Sequence, residues 1–184
     1  MKKILAIFCL AFALVAGNAA AADWNYAEAA AVSTDVQSVS ATGYKLSASK
    51  TLGDNFFVQG AYANSGDSDF KAGQASVALG VKANLLPRSD VYGKVTATVL
   101  VDDIYGADKY GYSAEAGIRT QVMKNVELRG GVIATDLRSA TLSKVEWLAT
   151  AGAEFALNDK LRVGVDVQGK NNVLVGQVGL RLYF

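Results

Sequence analysis

Three residue types are nearly missing from this chain, which has no histidine, one cysteine and one proline. Without histidine, neither a Ser-His-Asp triad nor a histidine-containing metal site can be built. The cysteine, Cys9, lies in an N-terminal apolar segment, so the rest of the chain cannot form a disulfide framework. No later apolar run reaches the roughly 20 residues that a transmembrane helix needs. Any membrane contact by the rest of the chain must therefore be made by strands.

The N-terminal segment predicts a cleavable signal peptide. Lys2 and Lys3 precede an apolar stretch over residues 4–17, and three alanines at 20–22 satisfy the small-x-small rule. We expect cleavage after Ala22, with residues 1–22 as the signal peptide and residues 23–184 as the mature domain. A membrane anchor is the alternative, but the apolar stretch is short for a spanning helix.

The mature chain is almost neutral. Removing Lys2 and Lys3 from 18 basic residues leaves 16, against 17 acidic ones. A nucleic-acid partner is therefore not expected, since such proteins carry a basic surface. A chain that is 51% hydrophobic with a single proline also argues against disorder.

From residue 41 onward, apolar and polar residues alternate in segments of about ten, the length of a membrane-spanning strand. Turn signals separate the segments at residues 53–55, 84–90, 123–125 and 158–160. The pattern predicts an all-β, closed antiparallel up-and-down transmembrane β-barrel of ten strands, with eight possible because the first segment alternates poorly. The predicted strands cover residues 24–33, 41–52, 56–65, 72–83, 90–101, 110–122, 126–136, 144–157, 160–169 and 173–184. An even strand number predicts that both termini are periplasmic.

Alternation alone does not say which face is outside, because a soluble barrel has the same period with its apolar face inward. Here the polar parity carries charges of both signs, which suits a crowded lumen in which ions pair. The predicted lumen charge network consists of Lys45, Lys82, Lys94, Glu115, Arg119, Glu127, Arg129, Glu146, Glu154, Arg162, Asp166 and Arg181, with Glu28 added from the first strand.

Aromatic residues of the apolar parity lie toward the strand ends, which predicts two girdles at the lipid–water interfaces. One girdle comprises Tyr44, Tyr62, Tyr110, Tyr112 and Trp147, and the other comprises Phe56, Phe155 and Phe184.

The C-terminal residues 179–184, Gly-Leu-Arg-Leu-Tyr-Phe, resemble the terminal signature of outer-membrane proteins. Residues 110–119 resemble a strand of the small OmpX/OmpA-like barrel superfamily. Residues 24–28 and 51–56 are similar to its short ten-stranded members, described as diffusible-signal outer-membrane proteins. The resemblance implies a Gram-negative outer-membrane location and assembly by periplasmic chaperones and the barrel-assembly machinery. It also implies that Leu180, Leu182, Tyr183 and Phe184 form the assembly signal.

No catalytic or cofactor-binding residue follows from the resemblance, and outer-membrane enzymes of this architecture resemble one another in using histidine. We therefore expect no enzyme activity, no cofactor and no metal. Paired carboxylates among Glu115, Glu146, Glu154 and Asp166 remain an alternative for glycoside chemistry, but ion pairing with nearby bases explains them better.

Two functions remain open for the barrel. Seven lumen bases face six lumen acids on this register, which favours a cross-linked polar plug and a structural, envelope-integrity or surface-interaction role. Lumen glycines at 117, 131, 152, 164 and 179 favour the alternative, a narrow and weakly selective pore. The short loops, including residues 65–70, are expected to be solvated turns. Contact with lipopolysaccharide through Lys71, Lys109, Arg138 and Lys144 is a further hypothesis. The protein is expected to be a monomer in outer-membrane lipid.

Overall fold

The computed structural model of the chain describes residues 24–36, 39–67, 70–102, 109–137, 145–170 and 173–184. The predicted signal peptide and its cleavage site lie outside these residues, as do Arg138 and Lys144. Within the described ranges, no helix has the length and hydropathy needed to cross a membrane.

Ten antiparallel strands form a closed barrel in which every strand pairs with its neighbours in sequence, and the last pairs with the first. The ten-strand prediction is therefore confirmed, and the eight-strand alternative is wrong. The strands are β1 (Tyr26–Val36), β2 (Val39–Leu52), β3 (Phe56–Asp67), β4 (Phe70–Leu86), β5 (Ser89–Asp102), β6 (Lys109–Met123), β7 (Val126–Leu137), β8 (Glu146–Ala156), β9 (Leu161–Lys170) and β10 (Val173–Tyr183).

Closure places the two termini side by side. Tyr26 of β1 pairs with Tyr183 of β10, and the Phe184 N–H donates to the Asn25 carbonyl at 3.2 Å. A closed ladder leaves no sheet edge, which lipid requires because it offers no partner for backbone groups.

Four short turns lie at the same end as the termini, which we call the turn end; the opposite end is the loop end. The turns are residues 53–55, 87–88, 124–125 and 157–160. Gly53 supplies the left-handed conformation of the first turn, with a φ of 71°.

Several strands extend further than predicted. The turn expected over residues 84–90 contracts to Pro87 and Arg88, because β4 runs to Leu86 and β5 starts at Ser89. Residues 65–67, expected in a solvated turn, belong to β3, and Asp67 pairs with Phe70 of β4. At the end of a barrel, water contacts both faces of the sheet. The backbone pairing therefore continues there through polar residues, without the apolar–polar alternation of the membrane-spanning part of each strand.

The distribution of burial is opposite to that of a soluble barrel. Among the described residues, the buried set holds six apolar residues and eleven polar or charged ones, while Leu, Val and aromatic side chains cover the outside. A soluble domain seldom buries Arg, Glu and Asp or exposes a continuous apolar surface. The outer surface is therefore suited to lipid, and the polar parity lines the lumen.

Candidate functional site: the charged lumen

The aromatic residues expected in the girdles all lie on the outer surface. Tyr44, Tyr62, Tyr110, Tyr112 and Trp147 are exposed, as are Phe56, Phe155 and Phe184. Tyr44 and Tyr62 lie on neighbouring strands with their ring centroids 6.2 Å apart. On β10, Leu180, Leu182 and Phe184 point outward, whereas Tyr183 is buried in the lumen.

The lumen contains an ion pair at the point where the barrel closes. Glu28 of β1 lies opposite Arg181 of β10 in the strand register. The Arg181 Nε donates to Oε2 of Glu28 at 2.8 Å, and the Lys45 Nζ on β2 is 3.8 Å from Oε1 of the same carboxylate. Three strands are thereby linked around Glu28.

A second pair joins β6 and β7. Arg119 binds Glu127 through two parallel hydrogen bonds, Nε to Oε1 at 2.8 Å and Nη2 to Oε2 at 3.1 Å. Only 4% of the Arg119 side chain and 1% of the Glu127 side chain are exposed. This bidentate arrangement is the strongest geometry for a guanidinium and a carboxylate. Arg162 of β9 also reaches Glu127, at 3.5 Å.

Glu154 on β8 is the most highly connected acid. It forms ion pairs with Arg129 and Arg181, and its Oε2 is 3.8 Å from the Arg162 guanidinium. The Tyr183 hydroxyl donates to it at 2.7 Å. Burying a carboxylate is costly unless it is paired and hydrogen-bonded, and here four side chains from three strands meet that requirement.

Arg129 of β7 extends the cluster to β9. Besides Glu154, it binds Asp166 of β9, with Nη2 2.5 Å from Oδ2. The Gln177 amide donates to the same Asp166 oxygen at 2.6 Å. We call the side chains of Glu28, Arg119, Glu127, Arg129, Glu154, Arg162, Asp166 and Arg181 the charged layer.

Two glycines make space for the charged layer. A Cβ atom at Gly152 would overlap the Asp166 carboxylate and lie 2.8 Å from Nε of Arg129. A Cβ at Gly164 would lie 3.2 Å from Cγ of Glu154. Long side chains from adjacent strands therefore occupy the space beside Gly152 and Gly164, and the narrow pore stays a prediction.

An aromatic cluster lies beside the charged layer at the turn end. The Trp24 ring packs on Phe57 and Tyr92, with centroids 4.4 and 5.3 Å apart. Arg119 lies over the same indole, 4.4 Å from its centroid, and the indole N–H donates to buried Asp90 at 3.0 Å. A Cβ atom at Gly80 would overlap the Phe57 ring, so this glycine makes room for it.

Sequence reasoning missed this cluster, although the signal was present. Phe57 shares its parity with Gln59, and Tyr92 shares its parity with Lys94, which marks both rings as inward-facing. Asp90 was also missed as a lumen-facing residue, because it is the first residue of the predicted strand over residues 90–101.

Between the charged layer and the loop-end part of the lumen lies a cavity of about 170 Å³. Its lining includes five cations but only two acids, Glu115 and Asp166. The cations are Lys45, Lys94, Arg119, Arg129 and Arg181.

Five members of the predicted charge network are outside the charged layer: Lys45, Lys94 and Glu115 line the cavity, and Glu146 and Lys82 lie elsewhere. Glu146 forms an exposed ion pair with Lys170 near the loop end, where 48% of its side chain is accessible. Its parity is inward, but its position near the end of β8 keeps it in water. Lys82 lies beside the aromatic cluster, 5.8 Å from the Trp24 ring centroid. No group of acidic, histidine or cysteine side chains in the described ranges is arranged to hold a metal.

No protein-family model matches the sequence, and a search of curated proteins found no significant match. Solved structures do share the fold. The KdgM porin in complex with disordered oligogalacturonate is 11% identical, with a TM-score of 0.53 over 86% of this chain and 99% of that one. The NanC porin is 7% identical, with a TM-score of 0.50 over 86% and 100% of the two chains. Neisserial surface protein A is 18% identical, with a TM-score of 0.43 over 88% and 96%.

The chain therefore has the fold of outer-membrane β-barrels, including porins. At these identities the likeness concerns the fold alone. Within that fold, the charged layer and the aromatic cluster form the candidate functional site. The site cross-links strands and presents cations to the cavity.

Proposed function

We propose that this chain is an integral protein of the bacterial outer membrane with a structural, non-catalytic role in the envelope, and that its lumen is closed to ion flow at the turn end. The observation that carries the proposal is the charged layer, in which four arginines and four acids pair between adjacent and next-adjacent strands. The apolar outer surface and the outer-membrane fold support the location. Periplasmic termini, a monomeric state and assembly by chaperones and the barrel-assembly machinery belong to the same proposal.

Closure is supported by where the long side chains lie. The buried ion pairs use the guanidinium groups that would otherwise attract mobile anions, and Trp24, Phe57 and Tyr92 occupy space next to them. Barrels of about eight strands have interiors that side chains fill, whereas open porins use about 16–18 strands. A ten-stranded barrel lies close to the filled class.

A small pore is the second candidate function. It is favoured by the cavity and by the porin folds that resemble this one. In that case the charged layer would be a constriction that water and small ions pass slowly.

Conductance in a planar lipid bilayer separates the two candidates. The mature chain is refolded, its folding is checked by heat-modifiable gel mobility, and single insertions are recorded at two salt concentrations. The proposal predicts folded protein without stable conductance steps. Discrete steps that scale with salt would replace the closed lumen with the small pore, and exchanging Lys94 for glutamate should then shift ion selectivity toward cations.

A further inference from the structure

The cavity next to the charged layer is lined by more cations than acids. The charged layer is balanced, but the cavity lining has five cations and two acids. Glu28, Glu127 and Glu154 neutralise the arginines from positions outside that lining. Counted with these three acids, the surroundings of the cavity are balanced at five cations and five acids, but the charged groups that contact the cavity itself are mostly cationic.

Two lysines face the cavity and keep free hydrogen-bonding capacity. In the part of the chain that the structure describes, the Lys45 ammonium contacts Gln177 at 3.1 Å and Glu28 at 3.8 Å. The Lys94 ammonium contacts Glu115 at 2.9 Å and Gln59 at 3.3 Å. An ammonium group has three donors, so each lysine retains at least one.

Solvent reaches both lysines. The Lys45 and Lys94 side chains are 27% and 20% exposed, in contrast to the nearly inaccessible side chains of Arg119 and Arg181. The arginines of the charged layer form ion pairs with carboxylates, whereas the two lysines keep donors that a solute can reach.

The rest of the lining suits a polar ligand of small size. Gln59, Gln168, Gln177 and Thr150 supply amides and a hydroxyl, and the rings of Trp24 and Tyr92 form one side. A volume of about 170 Å³ is comparable to the engineered cavity of about 150 Å³ that holds a benzene molecule.

We propose that the cavity is a binding site for a small organic anion, of the hydroxylated carboxylate class, whose carboxylates bind Lys45 and Lys94. The side-chain amides bind its hydroxyl groups. This inference is independent of the closed lumen, because the cavity binds the anion whether or not the charged layer conducts.

The test uses the refolded mature chain with malate as the probe and glycerol as the neutral comparison. The protein has two tryptophans, Trp24 in the cavity lining and Trp147 on the outer surface. In a Trp147→Phe background, the fluorescence of Trp24 therefore reports on the cavity alone, and calorimetry supplies a second readout. We expect saturable binding of malate and no saturation with glycerol.

Two double variants identify the site. Lys45→Gln with Lys94→Gln should weaken malate binding by at least about tenfold, since each lost bond involves a charged group. Lys50→Gln with Lys124→Gln changes the net charge equally at exposed positions outside the cavity, and it should leave binding unchanged.

Further variants keep the inference testable if the first one fails to fold. Lys45→Arg with Lys94→Arg retains both charges and should retain binding, whereas Val175→Phe fills the cavity without changing charge and should abolish it. The proposal is overturned if malate gives no saturable signal, or if the lysine-to-glutamine and control variants weaken it equally. The second result would mean general charge screening, whatever the conductance experiment shows.

Discussion

The turn end of the lumen and the loop-end parts of β4, β5 and β6 use the same inward parity but contain opposite kinds of side chain. Near the turn end, Arg119, Arg181 and Glu154 are long, charged and buried, and aromatic rings pack beside them. Toward the loop end, the inward positions of β4, β5 and β6 hold short neutral residues such as Ser76, Thr98 and Ser113. Alternation therefore determines which side chains face the lumen, while the local residue type determines whether long charged or short neutral side chains line that part of it.

The ion pairs show the same contrast. Glu154 is 2% exposed and contacts three arginines, whereas the Glu146 side chain is 48% exposed in its pair with Lys170. Both acids lie on β8 with the same parity. Removing a partner from a buried pair leaves an uncompensated charge in a low dielectric, but an exposed charge returns to water. Burial, and not the number of charges, should set the energetic effect.

The largest effect should come from Glu154→Gln. Three arginines would lose a shared carboxylate at once, so we expect the free energy of unfolding to fall by about 3–5 kcal/mol. Urea unfolding of the refolded barrel in lipid vesicles measures it. Asp159→Asn, at an exposed turn, removes the same charge as a control and should have little effect.

A second, smaller effect is expected from Gly152→Ala. The added methyl group would displace Asp166 from Arg129, and overpacking of this kind costs about 1–3 kcal/mol. Gly176→Ala is the matched control, because a Cβ atom there meets nothing within 4 Å. Equal unfolding free energies for the two variants would show that the space at Gly152 is not filled by the ion pair.

How far the sequence predicts this contrast can be judged from particular residues. The strand β6 was expected over residues 110–122 and is observed as Lys109–Met123, since alternation and turn residues mark strands reliably. Inward parity was equally readable for Arg129 and Glu154. Their pairing was not, because it depends on the stagger between strands and on side-chain conformations.

The aromatic cluster marks the other limit of sequence reasoning. Trp24, Phe57 and Tyr92 lie inside, although aromatic residues in membrane barrels are expected at the lipid interfaces. Their parity, read without regard to residue type, indicates the lumen. The cavity could not be predicted at all, because its volume depends on how completely the neighbouring side chains fill the space.

The smallest effect should come from Lys170→Gln. The loss of an exposed ion pair is expected to change the unfolding free energy by about 0–1 kcal/mol. High salt should remove even this difference, because the screening length falls to about 3 Å at 1 M. A large loss that persists in high salt would contradict the contrast between exposed and buried pairs.

The central claim is that the lumen charges bind one another across the strands, and a double-mutant cycle on Arg119 and Glu127 tests it most directly. Arg119→Met, Glu127→Leu and the double variant are unfolded in urea from lipid vesicles. If the two side chains pair, each single variant leaves a buried charge behind, so the double variant should lose much less stability than the two single losses added together. A double variant whose loss equals that sum would contradict the pairing, and with it the closed, cross-linked lumen.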